Sequence, residues 1–257
     1  MKTTIVIPTY NEAENLPKLV SAIFSLPAPD LSLLIVDDNS HDGTGQIADQ
    51  ISRETGGRLR VMHRAGKLGL GTAYVQGFRA ALAGGYRYVV EMDSDGSHLP
   101  EQLPDLLAAA RAGAGLVMGS RWIAGGRISG WPWHRRWISR TGTRVARLAL
   151  RSRLHDITSG FRVIDARWLS RVDLARIGSH GYGFQVELAW TLERMGCPIA
   201  EVPITFVERR IGRSKMSLGI VLEALARVLT WGWQLRFAPS RLPRPVRPAA
   251  ADETPAP

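Results

Sequence analysis

The sequence predicts an α/β protein with a mostly parallel central sheet and helices on both faces. Short apolar runs alternate along the first half of the chain with longer segments whose apolar residues recur at helical spacing. This alternation is typical of strand–helix units that form a parallel sheet. At 257 residues the chain is long enough for one sizeable α/β domain and an appendage. The predicted strands are 3–8, 31–36, 59–62, 88–92 and 116–121.

Three helices are predicted between the first four strands. The first runs from about Glu12 to Leu26, and its apolar residues recur every three or four positions. The second follows the turn 41–44 and carries Ile47, Ala48 and Ile51. The third follows the glycine-containing loop 66–71 and runs from about Thr72 to Ala83.

Polar clusters follow three of the predicted strands. Because the carboxyl ends of parallel strands meet at one edge of the sheet, we expect these clusters to form one ligand site. Carboxylates at such a site suit the ribose hydroxyls and the base of a nucleotide. The clusters are Tyr10-Asn11-Glu12, Asp37-Asp38 and Asp93-Ser94-Asp95.

Asp93 and Asp95 predict a metal–diphosphate site. Two carboxylates that leave a strand together repel each other unless a cation lies between them. Oxygen ligands suit Mg²⁺ or Mn²⁺, which proteins usually hold with one or two carboxylates and the phosphates of a substrate. The alternative is an acidic turn that caps a helix beginning near Pro100.

Two common nucleotide motifs are excluded. The sequence has no Gly-x-x-x-x-Gly-Lys-Ser/Thr segment, which argues against a P-loop. Gly69-Leu70-Gly71 begins like a dinucleotide fingerprint, but Tyr74 stands where the third glycine or alanine belongs.

The composition indicates an anionic partner and a reducing compartment. The net charge is +10, with 33 Lys and Arg against 23 Asp and Glu, which suits nucleic acid, phosphorylated substrates or an acidic membrane face. The single cysteine, Cys197, excludes an internal disulfide and is predicted to be a small core residue. Strand-like residues begin directly after Met1-Lys2, so we expect no signal peptide and a cytoplasmic location.

The positive charge is concentrated between Arg121 and His155, where nine arginines occur without an aspartate or glutamate. Helical spacing predicts one basic stripe with Val145 and Leu148 facing inward. Tryptophans interleave with this segment, which is compatible with nucleic-acid binding, a membrane interface or a solvated basic helix. The stripe consists of Arg140, Arg144, Arg147 and Arg151, and the tryptophans are Trp122, Trp131, Trp133 and Trp137.

The longest apolar segment, 218–237, is predicted to be an amphipathic helix. Its polar residues share one narrow stripe, and two charges, Glu223 and Arg227, make it a poor membrane span. A helix in the membrane interface, or one packed on a membrane partner, fits this pattern, as does a helix packed on the core. Residues 238–257 contain six prolines and are predicted to be a disordered tail.

Six motifs in this order resemble the family 2 glycosyltransferases of the GT-A (Rossmann-like) fold, and more narrowly the polyprenyl-phosphate (dolichyl-phosphate) mannose synthases. The resemblance covers residues 3 to about 217, and it implies a GT-A catalytic domain over residues 1–217. The motifs are Ile7-Pro8-Thr9-Tyr10-Asn11-Glu12, Val36-Asp37-Asp38-Asn39-Ser40, Asp93-Ser94-Asp95-Gly96-Ser97-His98, Gly119-Ser120-Arg121, Thr158-Ser159-Gly160-Phe161-Arg162 and Arg209-Arg210-Ile211-Gly212-Arg213-Ser214-Lys215.

The resemblance implies an inverting, metal-dependent transfer of mannose from GDP-mannose to a polyprenyl monophosphate. It also implies peripheral association with the cytoplasmic face of a membrane, directly or through a membrane-protein partner. The acceptor phosphate has a second pKa of about 6, so its oxygen is already an anionic nucleophile and needs no general base.

The resemblance also implies roles for individual residues. Asp93 and Asp95 would hold Mg²⁺ or Mn²⁺, with Ser97 as a further ligand, and Arg121 would act with them in catalysis. The acceptor phosphate would bind Arg121, Arg135 and Ser139. The nucleotide sugar would bind Pro8, Tyr10, Glu12, Val36, Asp38, Asp93, Ser94, Asp95, Arg209 and Lys215.

Two rival hypotheses remain at this stage. Relatives with the same aspartate motifs use glucosyl or aminosugar donors, or UDP in place of GDP, and the sequence does not separate these donors. A nucleic-acid-binding protein that uses the Trp/Arg segment would leave the six ordered motifs unexplained, so we expect no nucleic-acid partner.

Overall fold

A seven-stranded sheet forms the centre of the computed structural model, which describes residues 1–28, 30–177, 183–209 and 218–238. The strands are β1 (Thr3–Thr9), β2 (Leu31–Asp37), β3 (Leu59–His63), β4 (Tyr88–Glu91), β5 (Leu116–Ser120), β6 (Arg127–Ser129), β7 (Arg162–Asp165), β8 (Ile199–Pro203) and β9 (Thr205–Val207). The helices are α1 (Leu16–Phe24), α2 (Thr44–Glu54), α3 (Leu70–Ala83), α4 (Leu103–Arg111), α5 (Trp133–Leu150), α6 (Ala166–Leu169), α7 (Gly183–Arg194) and α8 (Leu218–Phe237).

The strand order is β3-β2-β1-β4-β7-β5-β8, and all neighbours are parallel except β7, which runs antiparallel to both β4 and β5. The predicted mostly parallel sheet is confirmed. Strand β7 was not predicted, because its apolar run is only Val163-Ile164 between Arg162 and Asp165. Strands β6 and β9 form a separate two-stranded parallel sheet.

Helices cover the main sheet on both faces. One apolar cluster joins the sheet to α3, α5 and α7, and the other joins it to α1, α2 and α4. Helix α3 lies so close to β1 that a Cβ atom on Gly77 would stand 2.4 Å from Val6 Cγ1, so only glycine fits there. Cys197 is buried in the first cluster, as predicted for a small core residue.

The first helix and the basic stripe differ from their predictions. Helix α1 begins at Leu16, because residues 12–15 form a turn. Arg151 has a left-handed backbone (φ 53°) and ends α5, so it leaves the stripe. Leu148, predicted to face inward, is 76% exposed, because it lies one turn after the exposed Arg144. Ala146 and Ala149 face the core instead.

Helix α8 packs against α5. A Cβ atom on Gly232 would stand 2.7 Å from the carbonyl oxygen of Ala149, so the two backbones are in close contact. Val228 is buried in this contact, while Leu229 and Trp233 are exposed one turn apart. Among the described residues, no helix is both long enough and apolar enough to span a membrane. The proposed tail beyond Ala238 lies outside the described residues, and the domain division at 217/218 stays a prediction.

Candidate active site

A cavity of about 270 Å³ opens where β1, β2 and β4 end. The residues predicted to bind the nucleotide sugar line it, with the exception of Val36 and Lys215. Val36 is fully buried in β2 and belongs to the core, and Lys215 lies outside the described residues. The lining consists of Pro8, Thr9, Tyr10, Glu12, Asp38, Lys67, Gly69, Leu70, Ala73, Asp93, Ser94, Asp95 and Arg209.

The adjacent carboxylates Asp37 and Asp38 have different surroundings. Asp37 is buried and accepts hydrogen bonds from the hydroxyls of Thr9 (3.0 Å) and Ser40 (2.6 Å) and from the Ser40 amide (3.0 Å). Asp38 lines the cavity. Asp37 therefore fixes the loop after β2, and Asp38 is the carboxylate that faces the cavity.

Arg64, which sequence reasoning missed, holds Asp38 in place. It directly follows β3, is 6% exposed and pairs with Asp38. Its guanidinium also donates to the Gln76 side chain (3.1 Å) and the Thr72 hydroxyl (2.5 Å) on α3. Burial raises the pKa of Asp38, and the Arg64 charge opposes this shift. The local sequence around Arg64 gave no signal, because its partners come from other elements.

The loop before α3 was also missed as part of the site. Lys67 Nζ lies 4.4 Å from the centre of the Tyr10 ring, a cation–π contact at the cavity wall. Gly69 has a φ of +98°, which favours glycine, and it caps α3 at the cavity. A glycine-containing loop with a lysine at the carboxyl end of β3 is the signal that could have identified it.

Asp93 is held by two neighbours. The Tyr74 hydroxyl donates to Asp93 Oδ1 (3.5 Å), and His98 Nδ1 accepts from the Asp93 amide (3.1 Å). Burial lowers the pKa of His98 to about 4, so its ring is neutral with the proton on Nε2. Burial, and then the charge of Asp95, raise the pKa of Asp93 to about 7. The pair of carboxylates is thus electrostatically crowded.

Arg209 stands against Asp95, with its Nη2 atom 3.1 Å from Asp95 Oδ2. Ser97 is 1% exposed and is not among the lining residues, and its amide donates to Asp95 Oδ1 (3.0 Å). Ser97 thus holds the turn, and its role as a metal ligand stays a prediction.

The carboxylate pair fits a divalent cation. The described part of the chain contains no group of three or more His, Cys, Asp or Glu side chains arranged around a metal position. Two crowded carboxylates beside a cavity nevertheless fit a Mg²⁺ or Mn²⁺ ion that takes its remaining ligands from water and substrate phosphates.

Arg121 and Arg135, predicted to bind the acceptor phosphate, meet around Trp131. Their guanidinium carbons lie 5.8 Å and 4.1 Å from the centre of a Trp131 ring. Ser139 lies one turn after Arg135 on α5 and is half-buried. The structure therefore brings together the two arginines that sequence reasoning selected.

Each of these arginines pairs with a carboxylate. Arg121 Nε and Nη2 donate to the two oxygens of the fully buried Asp156, both at 2.7 Å, and Nη2 also donates to the Thr158 hydroxyl (2.9 Å). Arg135 pairs with Glu208. Bidentate pairing fixes the plane of the Arg121 guanidinium.

The end of β9 joins the two halves of the site. The Phe206 ring lies 5.3 Å from Trp131 and 5.5 Å from His98 between ring centres. The two residues that follow β9 contact different halves of the site. Glu208 pairs with Arg135, and Arg209 pairs with Asp95. The cavity and the arginine pair are therefore neighbours.

Comparison with known proteins agrees with this geometry. Residues 4–173 match the model of the family described as Glycosyl transferase family 2. The chain is 45% identical over 240 residues to a polyprenol monophosphomannose synthase of Mycolicibacterium smegmatis, covering 93% of this chain and 90% of the relative. It is 48% identical over 237 residues to an undecaprenyl-phosphate mannosyltransferase of Micrococcus luteus, covering 92% and 96%.

Among solved structures, the fold is similar to that of glucosyl-3-phosphoglycerate synthase from Mycobacterium tuberculosis. The structure in complex with Mn²⁺, UDP-glucose and phosphoglyceric acid has a TM-score of 0.67 and 22% identity, covering 90% of this chain and 80% of that one. The structure in complex with UDP has a TM-score of 0.65 with the same coverage. At this identity the likeness shows the fold, which is of the GT-A type.

Proposed function

The chain belongs to glycosyl transferase family 2, and we propose that it transfers mannose from GDP-mannose to a polyprenyl monophosphate. The products are polyprenyl-phosphate-mannose, with inversion at the anomeric carbon, and GDP. One observation carries the proposal: a carboxylate-lined nucleotide cavity lies directly beside two arginines that are oriented around Trp131. The names of the two bacterial relatives support both the sugar and the lipid acceptor.

The cavity residues bind and orient the donor. Asp38, fixed by Arg64, faces the nucleoside, and Arg209 is placed to exchange its contact with Asp95 for the donor diphosphate. Asp93 and Asp95 would hold Mg²⁺ or Mn²⁺, which when bound supplies positive charge against the diphosphate as GDP leaves.

The arginine pair binds the acceptor phosphate. Because Asp156 fixes the guanidinium of Arg121, little side-chain freedom is lost when a phosphate binds to it. The phosphate oxygen is an anionic nucleophile near neutral pH, so the site needs positive charge and orientation rather than a side-chain base.

Exposed apolar side chains on α5 and α8 support membrane association. On α5, Trp133 is 79% exposed and Trp137 is 65% exposed, and arginines accompany them on the same helix. On α8, a second exposed stripe recurs every four residues. Tryptophan and arginine suit the headgroup level of an anionic membrane. The α8 stripe consists of Leu225, Leu229, Trp233 and Phe237.

The test is a transfer assay. Purified protein is incubated with labelled GDP-mannose, polyprenyl phosphate in vesicles and Mg²⁺ or Mn²⁺, and lipid-extractable label is measured. We expect mannolipid that depends on the metal. A parallel reaction with UDP-glucose checks the donor, since glucolipid instead of mannolipid would overturn the sugar and nucleotide. Absence of product with either donor would overturn the proposed reaction.

A further inference from the structure

Arg162 ends the motif 158–162 and takes no part in the site described above. Its side chain is 0% exposed and is the largest fully buried side chain among the described residues. A buried guanidinium costs considerable free energy unless charges and hydrogen bonds compensate it. Apolar residues would fill the same space without this cost. The position of Arg162 therefore calls for a specific explanation.

The partner of this charge is Glu91. Arg162 on β7 lies opposite Glu91 on β4 in the antiparallel register, and both side chains are fully buried. Neither carboxylate oxygen of Glu91 has a hydrogen-bond partner among the described residues, and the same holds for Nε and Nη1 of Arg162. The two side chains are therefore opposite charges that face each other across the strand pair without a direct hydrogen bond between them.

Each member of this pair is tied to one half of the site. Glu91 stands two residues before Asp93 at the end of β4. Arg162 Nη2 donates to the carbonyl of Ile157 (2.9 Å), which lies between Asp156 and Thr158, the two residues that bond the Arg121 guanidinium. The two buried side chains thus lie between the strand that leads to the carboxylates and the loop that bonds Arg121.

On the basis of the proposed function, we propose that Arg162 is a positioning residue for the transfer reaction. Its guanidinium, opposite Glu91 and bonded to the Ile157 carbonyl, fixes the strand end that carries Asp93 relative to the loop that orients Arg121. The two substrates bind to these separate halves. Their mutual orientation therefore depends on the buried pair, although neither substrate touches it.

The test separates positioning from stability with four variants. Arg162→Met and Glu91→Leu each leave one charge buried alone, and we expect both to lower the melting temperature. The double variant Glu91→Leu/Arg162→Met removes both charges, and we expect it to recover most of the melting temperature of the wild type. Arg162→Lys keeps the charge but lacks the forked guanidinium. It replaces the double variant in the measurements below if the double variant does not fold.

Two measurements then distinguish a positioning role of Arg162 from a purely structural one. In the double variant, or in Arg162→Lys, we expect faster hydrogen exchange at the amides of Asp93 and Arg121, which are bonded to His98 and Asp156. We also expect kcat to fall about tenfold or more while both KM values stay within about threefold of the wild type. Wild-type exchange and kcat in a folded variant would overturn the proposal. If the wild type makes no mannolipid, the proposed function fails, and the exchange rates still decide the role of Arg162.

Discussion

The proposed donor and acceptor halves of the site differ in how their charged side chains are arranged. In the donor half, Asp93 and Asp95 crowd together at the end of β4, and the pKa of Asp93 is raised to about 7. In the acceptor half, Arg121 and Arg135 each pair with a carboxylate from another segment of the chain. The donor half therefore holds two neighbouring carboxylates with one arginine, Arg209, against Asp95, whereas each arginine of the acceptor half has a carboxylate of its own.

This difference fits the substrate that each half is proposed to bind. A nucleotide diphosphate needs added positive charge, and two crowded carboxylates provide a position for a divalent cation. A lipid phosphate binds to cations that are already present, so these cations are better held in one orientation beforehand. Asp156 holds Arg121 in this way, whereas the partly exposed Glu208 is expected to compete with a phosphate for Arg135.

The largest effect is expected from Asp156→Asn, which breaks the buried pair with Arg121. Removing one partner leaves an uncompensated buried charge, so the free energy of unfolding should fall by about 3–5 kcal/mol. Denaturant unfolding measures this loss. The control is Asp173→Asn, whose more exposed pair with Arg176 should contribute about 0–1 kcal/mol. Equal losses in the free energy of unfolding would mean that the buried Arg121–Asp156 pair contributes no more to stability than the exposed pair does.

Asp95→Asn tests the donor half. The variant keeps the shape of the side chain and removes a charge from the proposed cation position, so the rate of mannolipid formation should fall by about 10²- to 10³-fold. Asp105→Asn, an exposed substitution on α4, is the matched control and should retain full activity. A rate within about threefold of the wild type would contradict the role of Asp95.

The raised pKa of Asp93 predicts a pH dependence of metal binding. A carboxylate must lose its proton to bind a cation, so the Mn²⁺ affinity should rise about tenfold per pH unit below pH 7 and level off above it. Electron paramagnetic resonance of free Mn²⁺ measures this affinity without substrate. An affinity that does not change with pH would show that Asp93 is already ionised in the cavity.

Vesicle binding tests the surface next to the acceptor half. The double variant Trp133→Ser/Trp137→Ser removes two exposed indoles and should weaken binding to anionic vesicles about tenfold or more. Sedimentation with vesicles gives the affinity, and neutral vesicles separate the apolar contribution from that of the arginines. Unchanged binding to both kinds of vesicle would place the membrane contact elsewhere.

The smallest effect is expected from Glu208→Gln. Its pair with Arg135 is partly exposed, so the loss of stability should be less than about 1 kcal/mol. The freed Arg135 should bind the acceptor phosphate more tightly and lower its KM about threefold, while the KM for GDP-mannose changes little. A higher KM for the acceptor would show that Glu208 orients Arg135 more than it competes with the phosphate.

Much of the donor half could be predicted from sequence. Strand periodicity and the polar residues that follow each strand are local signals, and parallel strands bring them to one edge. This is why Tyr10, Asp38 and Asp93 lie where they were expected. Val36 lies in the core of β2 and does not line the cavity, and its role in binding the nucleotide sugar stays a prediction. Arg64 was missed because its role depends on Asp38 and α3.

The sequence by itself determined the α/β class, the sheet edge where the polar clusters meet and the two arginines that lie around Trp131. Only the tertiary structure decided how their charges are balanced, because the pairing partners are distant in sequence. Asp156 lies 35 residues from Arg121, and Glu208 lies 73 residues from Arg135. Glu91 and Arg162 likewise lie opposite each other only because β7 runs antiparallel between β4 and β5. Electrostatic balance depends on distance in space, and local sequence patterns do not report it.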